Sequence, residues 1–172
     1  MSEHEPAHET ADEAGRFDDA LIQRTYTAVL QHFVDTGRAP HYTALAARFG
    51  VSTEQARLTL AETARRGFGC WMIDGTDYVG SFAPFYNTPT QYEVTVDGEQ
   101  RWWAQCGLET FAVRWMFPGK EVQVDIRDLA TTEPIRLRFR DEELLEVTPD
   151  TTVGYFNTPM WKWGQVDNTA HL

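Results

Sequence analysis

The hydrophobic periodicity of the chain changes near residue 82, and this change constrains the fold more than any other feature of the sequence. Before residue 82, apolar residues recur at spacings of three and four, as they do in amphipathic helices. After it, short segments alternate apolar and polar residues with a period of two, which is typical of strands that bury one face. Helical segments followed by strands predict an α+β fold.

Three helical segments between residues 18 and 66 precede a predicted hairpin. Each helical segment ends at a glycine, and these glycines are Gly37, Gly50 and Gly67. The segment 69–80 then predicts a hairpin that turns at Asp74-Gly75. Three helices and a hairpin in this order are typical of a winged helix-turn-helix, so residues 18–82 are assigned to a winged-helix-like module.

A winged helix-turn-helix commonly binds DNA through the second helix of its motif. The corresponding helix here carries three basic residues against two acidic ones, namely Arg57, Arg65 and Arg66 against Glu54 and Glu62. The whole chain has a formal net charge of -11. General affinity for nucleic acid is therefore disfavoured, and a DNA-binding regulator is the weakest of the alternatives.

Residues 83–172 predict a mostly antiparallel sheet domain with one packed helix. The alternating segment 91–96 runs into Asp97-Gly98, which is a strong hairpin signal. Further period-two segments are predicted as strands at 121–126, 135–139, 144–147 and 152–156. Between them, the spacing of apolar residues in 100–117 predicts a helix.

Cys106 and Glu109 lie three residues apart in this predicted helix, so a thiol and a carboxylate can touch. Backbone amides at a helix start favour the thiolate form of Cys106, whereas the charge of Glu109 opposes it. We therefore predict a pair that shares one proton. Such a pair can bind a soft metal or electrophile through sulfur while the carboxylate accepts and returns the proton. The alternative is a small buried cysteine beside a surface glutamate.

The remaining composition excludes several classes of protein. No apolar run approaches the ~20 residues that cross a bilayer, and the first residues lack the features of a signal peptide, so we expect a cytoplasmic protein without a membrane partner. Residues 1–17 are acidic and predicted to be disordered. Cys70 and Cys106 are the two cysteines and form no metal-binding pattern, so both are expected to be reduced, with Cys70 packed rather than reactive. No cofactor is predicted, because no nucleotide-binding fingerprint is present.

One run of motifs resembles a known family. The matching segments are Pro89-Thr90, Val96-Asp97-Gly98, Trp103-Ala-Gln-Cys-Gly-Leu-Glu-Thr110, the spacing Gly119-x-x-Val122-x-Val124, and Glu133-Pro-Ile-Arg-Leu137. In this order and at these spacings, residues 79–156 resemble the organomercurial (alkylmercury) lyases. The resemblance extends more weakly upstream into the winged-helix-like module.

The resemblance implies a helical module that does not bind DNA and a catalytic triad of two cysteines and one aspartate. Enzymes of this family bind organomercury through thiolates, protonate the carbon and release a hydrocarbon. Cys106 matches the first cysteine, and Glu109 falls at the position of the aspartate, one methylene longer. The second cysteine is missing, because Asn157 follows Phe156 where a thiol is expected. Cys70 could replace it only if the hairpin folds over the predicted helix.

These observations predict a divergent lyase-like enzyme that acts on a small organometallic molecule or another soft electrophile. Cys106 is the predicted nucleophile and soft-metal ligand, and Glu109 is the predicted proton carrier. The residues predicted to line the substrate pocket are Trp102, Trp103, Thr110 and Asn157. A thiol-based binding or sensing protein without turnover is the alternative. The sequence leaves the substrate and the oligomeric state open.

Overall fold

The computed structural model describes residues 17–155. Within them lie four α-helices, which are α1 (Asp19–Thr36), α2 (Tyr42–Phe49), α3 (Thr53–Arg66) and α4 (Glu109–Val113), the last continued by a 3₁₀ turn at Arg114–Met116. The strands are β1 (Cys70–Met72), β2 (Val79–Phe82), β3 (Phe85–Tyr86), β4 (Tyr92–Val96), β5 (Glu99–Ala104), β6 (Glu121–Arg127), β7 (Pro134–Arg140) and β8 (Glu143–Thr148). The predicted α+β fold is confirmed. Among the described residues, no helix is both long and apolar enough to cross a membrane.

The three N-terminal helices begin and end where local side-chain chemistry predicts. The side chain of Asp18 accepts a hydrogen bond from the backbone N–H of Ala20 at the start of α1, at 2.9 Å. The Ser52 hydroxyl accepts one from Gln55 at the start of α3, at 3.1 Å. Such caps satisfy amides that have no partner within the helix. Gly37 and Gly50 end α1 and α2 in the left-handed conformation that glycine adopts without strain.

The described strands form one antiparallel sheet in the order β1-β2-β3-β5-β4-β6-β7-β8. The predicted hairpin at Asp97-Gly98 joins β4 to β5, and both turn residues have positive φ, at 48° and 86°. Strand β5 lies between β3 and β4 and is hydrogen-bonded on both sides. The same sheet crosses the predicted boundary at residue 82, so a division into modules 18–82 and 83–172 remains a prediction.

Helix α1 covers the part of the sheet that leads to Cys106. The ring of Phe33 stacks on Phe85 with centroids 5.2 Å apart. The indole N–H of Trp102 donates a hydrogen bond to the carbonyl of Phe33 at 2.6 Å. All three side chains are almost fully buried. The C-terminal half of α1 is therefore fixed directly against β3 and β5.

The helix predicted for residues 100–117 is wrong in its first half. Residues 99–104 form β5, a turn occupies 105–108, and the helix begins only at Glu109. The hairpin at Asp97-Gly98 brings β5 into register with β4, and tryptophans suit a strand, so pairing overrides the apparent helical spacing. The strand predicted for 152–156 is also absent as far as residue 155. Residues 1–16, Phe156 and Asn157 lie outside the described residues.

Candidate functional site

Cys106 lies in the tight turn between β5 and α4. Its carbonyl accepts a hydrogen bond from the N–H of Thr110 at 3.2 Å, and the Thr110 hydroxyl donates to the carbonyl of Gly107 at 2.6 Å. On the strand side, the Thr90 hydroxyl donates to the carbonyl of Ala104 at 2.8 Å. The half-buried Cys106 is thus held at the point where an interior strand becomes a short helix.

The surroundings of the Cys106 thiol act on its pKa in opposite directions. Burial raises its pKa, and the negative charge of Glu109 acts in the same direction. The backbone N–H groups of Glu109 and Leu108 donate to the sulfur and lower the pKa, but the net direction is upward. The resting thiol therefore keeps its proton at neutral pH, and an electrophile that binds the sulfur must displace this proton.

Glu109 is a buried carboxylate without a partner among residues 17–155. The residue is 9% exposed, and no described residue donates a hydrogen bond to its carboxylate or forms an ion pair with it. The carboxylate oxygens are not among the fully buried unpartnered atoms of the described residues, so they keep a small contact with solvent. Burial raises its pKa. A buried charge that lacks a partner is costly, and such groups are concentrated at sites where protons move.

The structure adds two residues that sequence reasoning did not place near the site. Cys70 starts β1, is 9% exposed, and its thiol donates to the carbonyl of Phe68 at 3.5 Å. Burial raises the pKa of Cys70 to about 11, the N–H of Ala83 lowers it, and the charge of Glu109 raises it further. Burial also raises the pKa of Tyr26 on α1, with additional increases from Cys70 and Glu109. Glu109 therefore lies within electrostatic reach of both thiols and of Tyr26.

Tyr92 is a third residue that lies beside the site and that the sequence did not indicate. Burial raises its pKa, the side chain of Gln91 lowers it through a hydrogen bond, and ionisation of Cys106 would raise it. The N–H of Gly107 donates to its hydroxyl oxygen, which lies next to the Cys106 turn. No local motif reveals Tyr26, Cys70 or Tyr92, because sheet register and helix docking bring them to the site.

The residues predicted to line a substrate pocket have different surroundings. Trp102 lies in the core, where its ring packs edge-on against Phe117 at 4.9 Å between centroids. Trp103 is half-buried on β5 and pairs with Tyr86. Thr110 is buried and supports the Cys106 turn through its hydroxyl. Their role in substrate binding stays a prediction.

A resident metal centre is not indicated by the described side chains. Within residues 17–155, no three or more histidine, cysteine, aspartate and glutamate side chains are grouped in a way that could hold a metal ion. The Cys106 sulfur is a donor atom of the kind that soft ions prefer, and its role as a ligand stays a prediction.

Comparison with known proteins identifies relatives of the sheet region. The family model described as "MerB: Alkylmercury lyase" matches residues 85–170. Alkylmercury lyases of Bacillus cereus and Clostridium butyricum are each 36% identical over 74 residues, which cover 41% of this chain and 32% of each relative. The chain thus spans about a third of the length of these curated relatives.

A solved structure supports the same relationship at the level of the fold. The crystal structure of the mercury-bound form of MerB2 matches with a TM-score of 0.56 and 18% identity, over 77% of this chain and 65% of that one. The lyase-like fold predicted from the motifs is therefore confirmed. Since the family match covers 86 of the 172 residues, including the Cys106 turn and α4, the chain belongs to the alkylmercury lyase family.

Proposed function

We propose that this protein is a divergent alkylmercury lyase that works with one thiol, Cys106, and one carboxylate, Glu109. The observation that carries the proposal is the buried Glu109 carboxylate, which has no partner among the described residues and follows Cys106 by one short turn. The substrate is an organomercury cation, R–Hg⁺, or a closely related soft organometal.

The first step exchanges the thiol proton for mercury. The Cys106 sulfur forms a bond to mercury, and the proton released from sulfur passes to the Glu109 carboxylate. The products are a neutral thiolate–mercury–carbon unit and a neutral carboxylic acid. Burial favours this outcome, because a cation has entered and the uncompensated carboxylate charge has disappeared.

The second step breaks the carbon–mercury bond. Protonated Glu109 donates its proton to the carbon, and the electron pair of the carbon–mercury bond becomes the new carbon–hydrogen bond. The hydrocarbon leaves, mercury stays on the Cys106 sulfur, and Glu109 becomes anionic again beside the bound cation. The raised pKa of Glu109 suits this role, because the carboxyl can hold a proton long enough to deliver it.

The arginines of the helical module do not favour the DNA-binding alternative. Arg57 pairs with Glu54 and Asp77 at 2.8 and 3.0 Å. Arg66 pairs with Glu62 and Asp19 at 2.6 and 2.8 Å. Their charges are compensated within the protein, so these side chains present no basic surface that would attract a phosphate backbone.

The decisive experiment is mass spectrometry of the protein with phenylmercuric acetate, following both the protein adduct and the released benzene. The wild type should form an adduct at Cys106 and release benzene. Cys106→Ser should form no adduct at position 106 and should release no benzene. Glu109→Gln should form the adduct but release benzene about 10² to 10⁴ times more slowly, because it removes a proton donor. Glu133→Gln, an exposed glutamate in the loop before β7, is the matched control and should behave as wild type.

Two results would contradict the proposal. Equal benzene release by wild type and Glu109→Gln would remove the carboxylate from the mechanism. A stable wild-type adduct without benzene release would contradict the lyase activity. It would instead support the alternative, in which the protein binds or senses the soft cation through its thiol without turnover.

A further inference from the structure

A groove between α1 and α2 is lined by two arginines and by no acidic residue. Its volume is about 420 Å³. The residues that line it are Gln23, Arg24, Thr27 and Ala28 of α1 and Arg48 and Phe49 of α2. This local excess of positive charge contrasts with the whole chain, whose formal net charge is -11. The groove is therefore a cationic surface on an acidic protein.

The ring of Phe49 holds the two guanidinium groups near each other. The guanidinium carbon of Arg24 lies 4.7 Å from the ring centroid, and that of Arg48 lies 6.0 Å from it. The two positive charges are thus within about 11 Å of each other. An aromatic ring attracts cations but carries no net charge, so Phe49 positions the guanidinium groups without neutralising them.

Neither guanidinium group has a polar partner among residues 17–155. No described group accepts a hydrogen bond from the side chain of Arg24 or Arg48, and no described carboxylate forms an ion pair with either. By contrast, Arg57 and Arg66 of α3 each pair with two carboxylates. A guanidinium offers N–H donors in a planar arrangement that matches a carboxylate. The groove therefore suits a ligand that brings carboxylates to both arginines.

Residues 1–16 of the chain carry the complementary charge. This acidic segment contains one basic residue and five acidic ones, which are Glu3, Glu5, Glu9, Asp12 and Glu13. Glu9 and Asp12 are three positions apart, which is about 10 Å in an extended chain. This spacing is comparable with the separation of the two guanidinium groups, so one short stretch can bring a carboxylate to each of them.

The acidic segment is joined to α1, the helix that forms one wall of the groove. Arg24 follows Asp19, the first residue of α1, by five residues, which is about 8 Å along the helix axis. Residues 14–18 span up to about 16 Å when extended, and Gly15 permits a reversal of the chain direction. Glu13 and the residues before it are therefore within reach of the groove.

Attachment to the same chain favours this segment over a separate anionic partner. A tethered segment meets its binding surface at an effective concentration of the order of millimolar. A separate acidic protein is repelled at long range by a chain of net charge -11. Proteins that bind duplex DNA neutralise many phosphates at once, whereas this groove offers two cations.

We propose that the acidic segment docks in the groove between α1 and α2, where carboxylates of Glu9, Asp12 and Glu13 pair with Arg24 and Arg48. The ion pairs are exposed and screened by salt, so the docked state is most populated at low ionic strength. The contact uses neither side chain of the proposed lyase reaction. It therefore goes beyond that proposal, and each is tested without the other.

Chemical modification of arginine tests the contact in the full chain. Phenylglyoxal reacts with guanidinium groups, and mass spectrometry of the peptides gives the rate at each arginine. In the triple variant Glu9→Gln/Asp12→Asn/Glu13→Gln, Arg24 and Arg48 should react at least about threefold faster than in the wild type at low salt, which is the effect of one exposed ion pair.

Two controls separate docking from a general effect of charge. Arg38 is exposed and does not line the groove, so its rate should be the same in the wild type and the variant. The variant Glu133→Gln/Glu143→Gln/Asp150→Asn removes three exposed carboxylates of the sheet region and should leave the rates at the groove unchanged. If both triple variants react at the same rate at the two groove arginines, the proposal is overturned.

Carbodiimide cross-linking identifies the occupant of the groove. In Arg48→Lys, the new amine forms an amide with a carboxylate that lies directly against it, and trypsin releases residues 1–16 as one peptide because they end in Arg16. The monomeric protein should contain a cross-link between position 48 and this peptide, whereas Arg38→Lys should contain none at position 38. No cross-link to this peptide, or a cross-link only between two chains, would overturn docking within one chain.

Discussion

Replacing Glu109 with glutamine should raise the stability of the folded protein at pH 8, although it removes the proposed proton donor. Glu109 is 9% exposed as a residue, and its carboxylate has no partner among the described residues. A buried charged acceptor without partners costs more than a neutral amide of the same size in the same place, by about 1 to 2 kcal/mol. Glu109→Gln should therefore increase the free energy of unfolding by about this amount.

The pH dependence of this gain follows from the direction of the pKa shift. Burial raises the pKa of Glu109 in the folded state above its ordinary value of 4.5. Between the two values the folded protein binds more protons than the unfolded chain, so the wild type loses stability as pH rises through the folded pKa. Below the ordinary value both states are protonated. The advantage of Glu109→Gln should thus be largest at pH 8 and should disappear as pH falls towards 4.5.

Urea unfolding at several pH values measures this effect. For a slope of about 2 kcal/mol/M, the midpoint of Glu109→Gln at pH 8 should lie about 0.5 to 1 M above that of the wild type. Glu133→Gln removes an exposed carboxylate and should leave the midpoint unchanged at every pH. If Glu109→Gln is less stable than the wild type at pH 8, the carboxylate has a stabilising partner and the reasoning about an unpaired buried charge is wrong.

Two further predictions concern the contact of α1 with the sheet. Gly37→Ala should lower the free energy of unfolding by at least about 2 kcal/mol, because φ is +76° and the added Cβ would collide with the carbonyl oxygen of Arg101. Gly50→Ala is its control: φ is +67° but no atom lies within 4 Å, so a loss of about 1 kcal/mol is expected, and equal losses would refute the collision. Trp102→Phe should cost about 1 to 3 kcal/mol in urea unfolding, since it removes the hydrogen bond to Phe33 and leaves a void. An unchanged midpoint would show that this bond does not stabilise the fold.

Local sequence chemistry was sufficient to predict most of the fold. The three N-terminal helices are confirmed because their caps and terminal glycines act within a few residues of each helix end. The hairpin at Asp97-Gly98 is confirmed for the same reason, since its two residues with positive φ determine the turn by themselves. When the residues that determine a helix end or a turn lie within a few positions of it, a sequence pattern is sufficient to predict that element.

The error in β5 has a non-local cause. The apolar residues of 99–104 fit a helical stripe as well as a strand, and the decision comes from pairing with β3 and β4. Strand β3 contains two residues, Phe85 and Tyr86, too few to give a periodic signal. The pairing partners of β5 were therefore only partly visible in the sequence.

The prediction that placed Cys106 near Glu109 did not depend on this error. A turn followed by a helix keeps residues three apart close together almost as well as a continuous helix does. Cys70 and Tyr26 could not be found in this way, because sheet register and the docking of α1 bring them towards Glu109. The positions of Cys70 and Tyr26 relative to Glu109 are therefore determined by tertiary structure and not by local sequence.

Because the sheet is continuous, the segment that is similar to the family is not a separate structural unit. Sequence similarity to the family begins at residue 85, yet β1 and β2 extend the same sheet, and Phe33 of α1 covers Phe85. A descendant that lost residues 18–82 would keep the recognisable segment but would leave the two-residue β3 as an uncovered edge. Residues outside the family match therefore complete the structural unit, since they pair with β3 and cover the strand that carries the Cys106 turn.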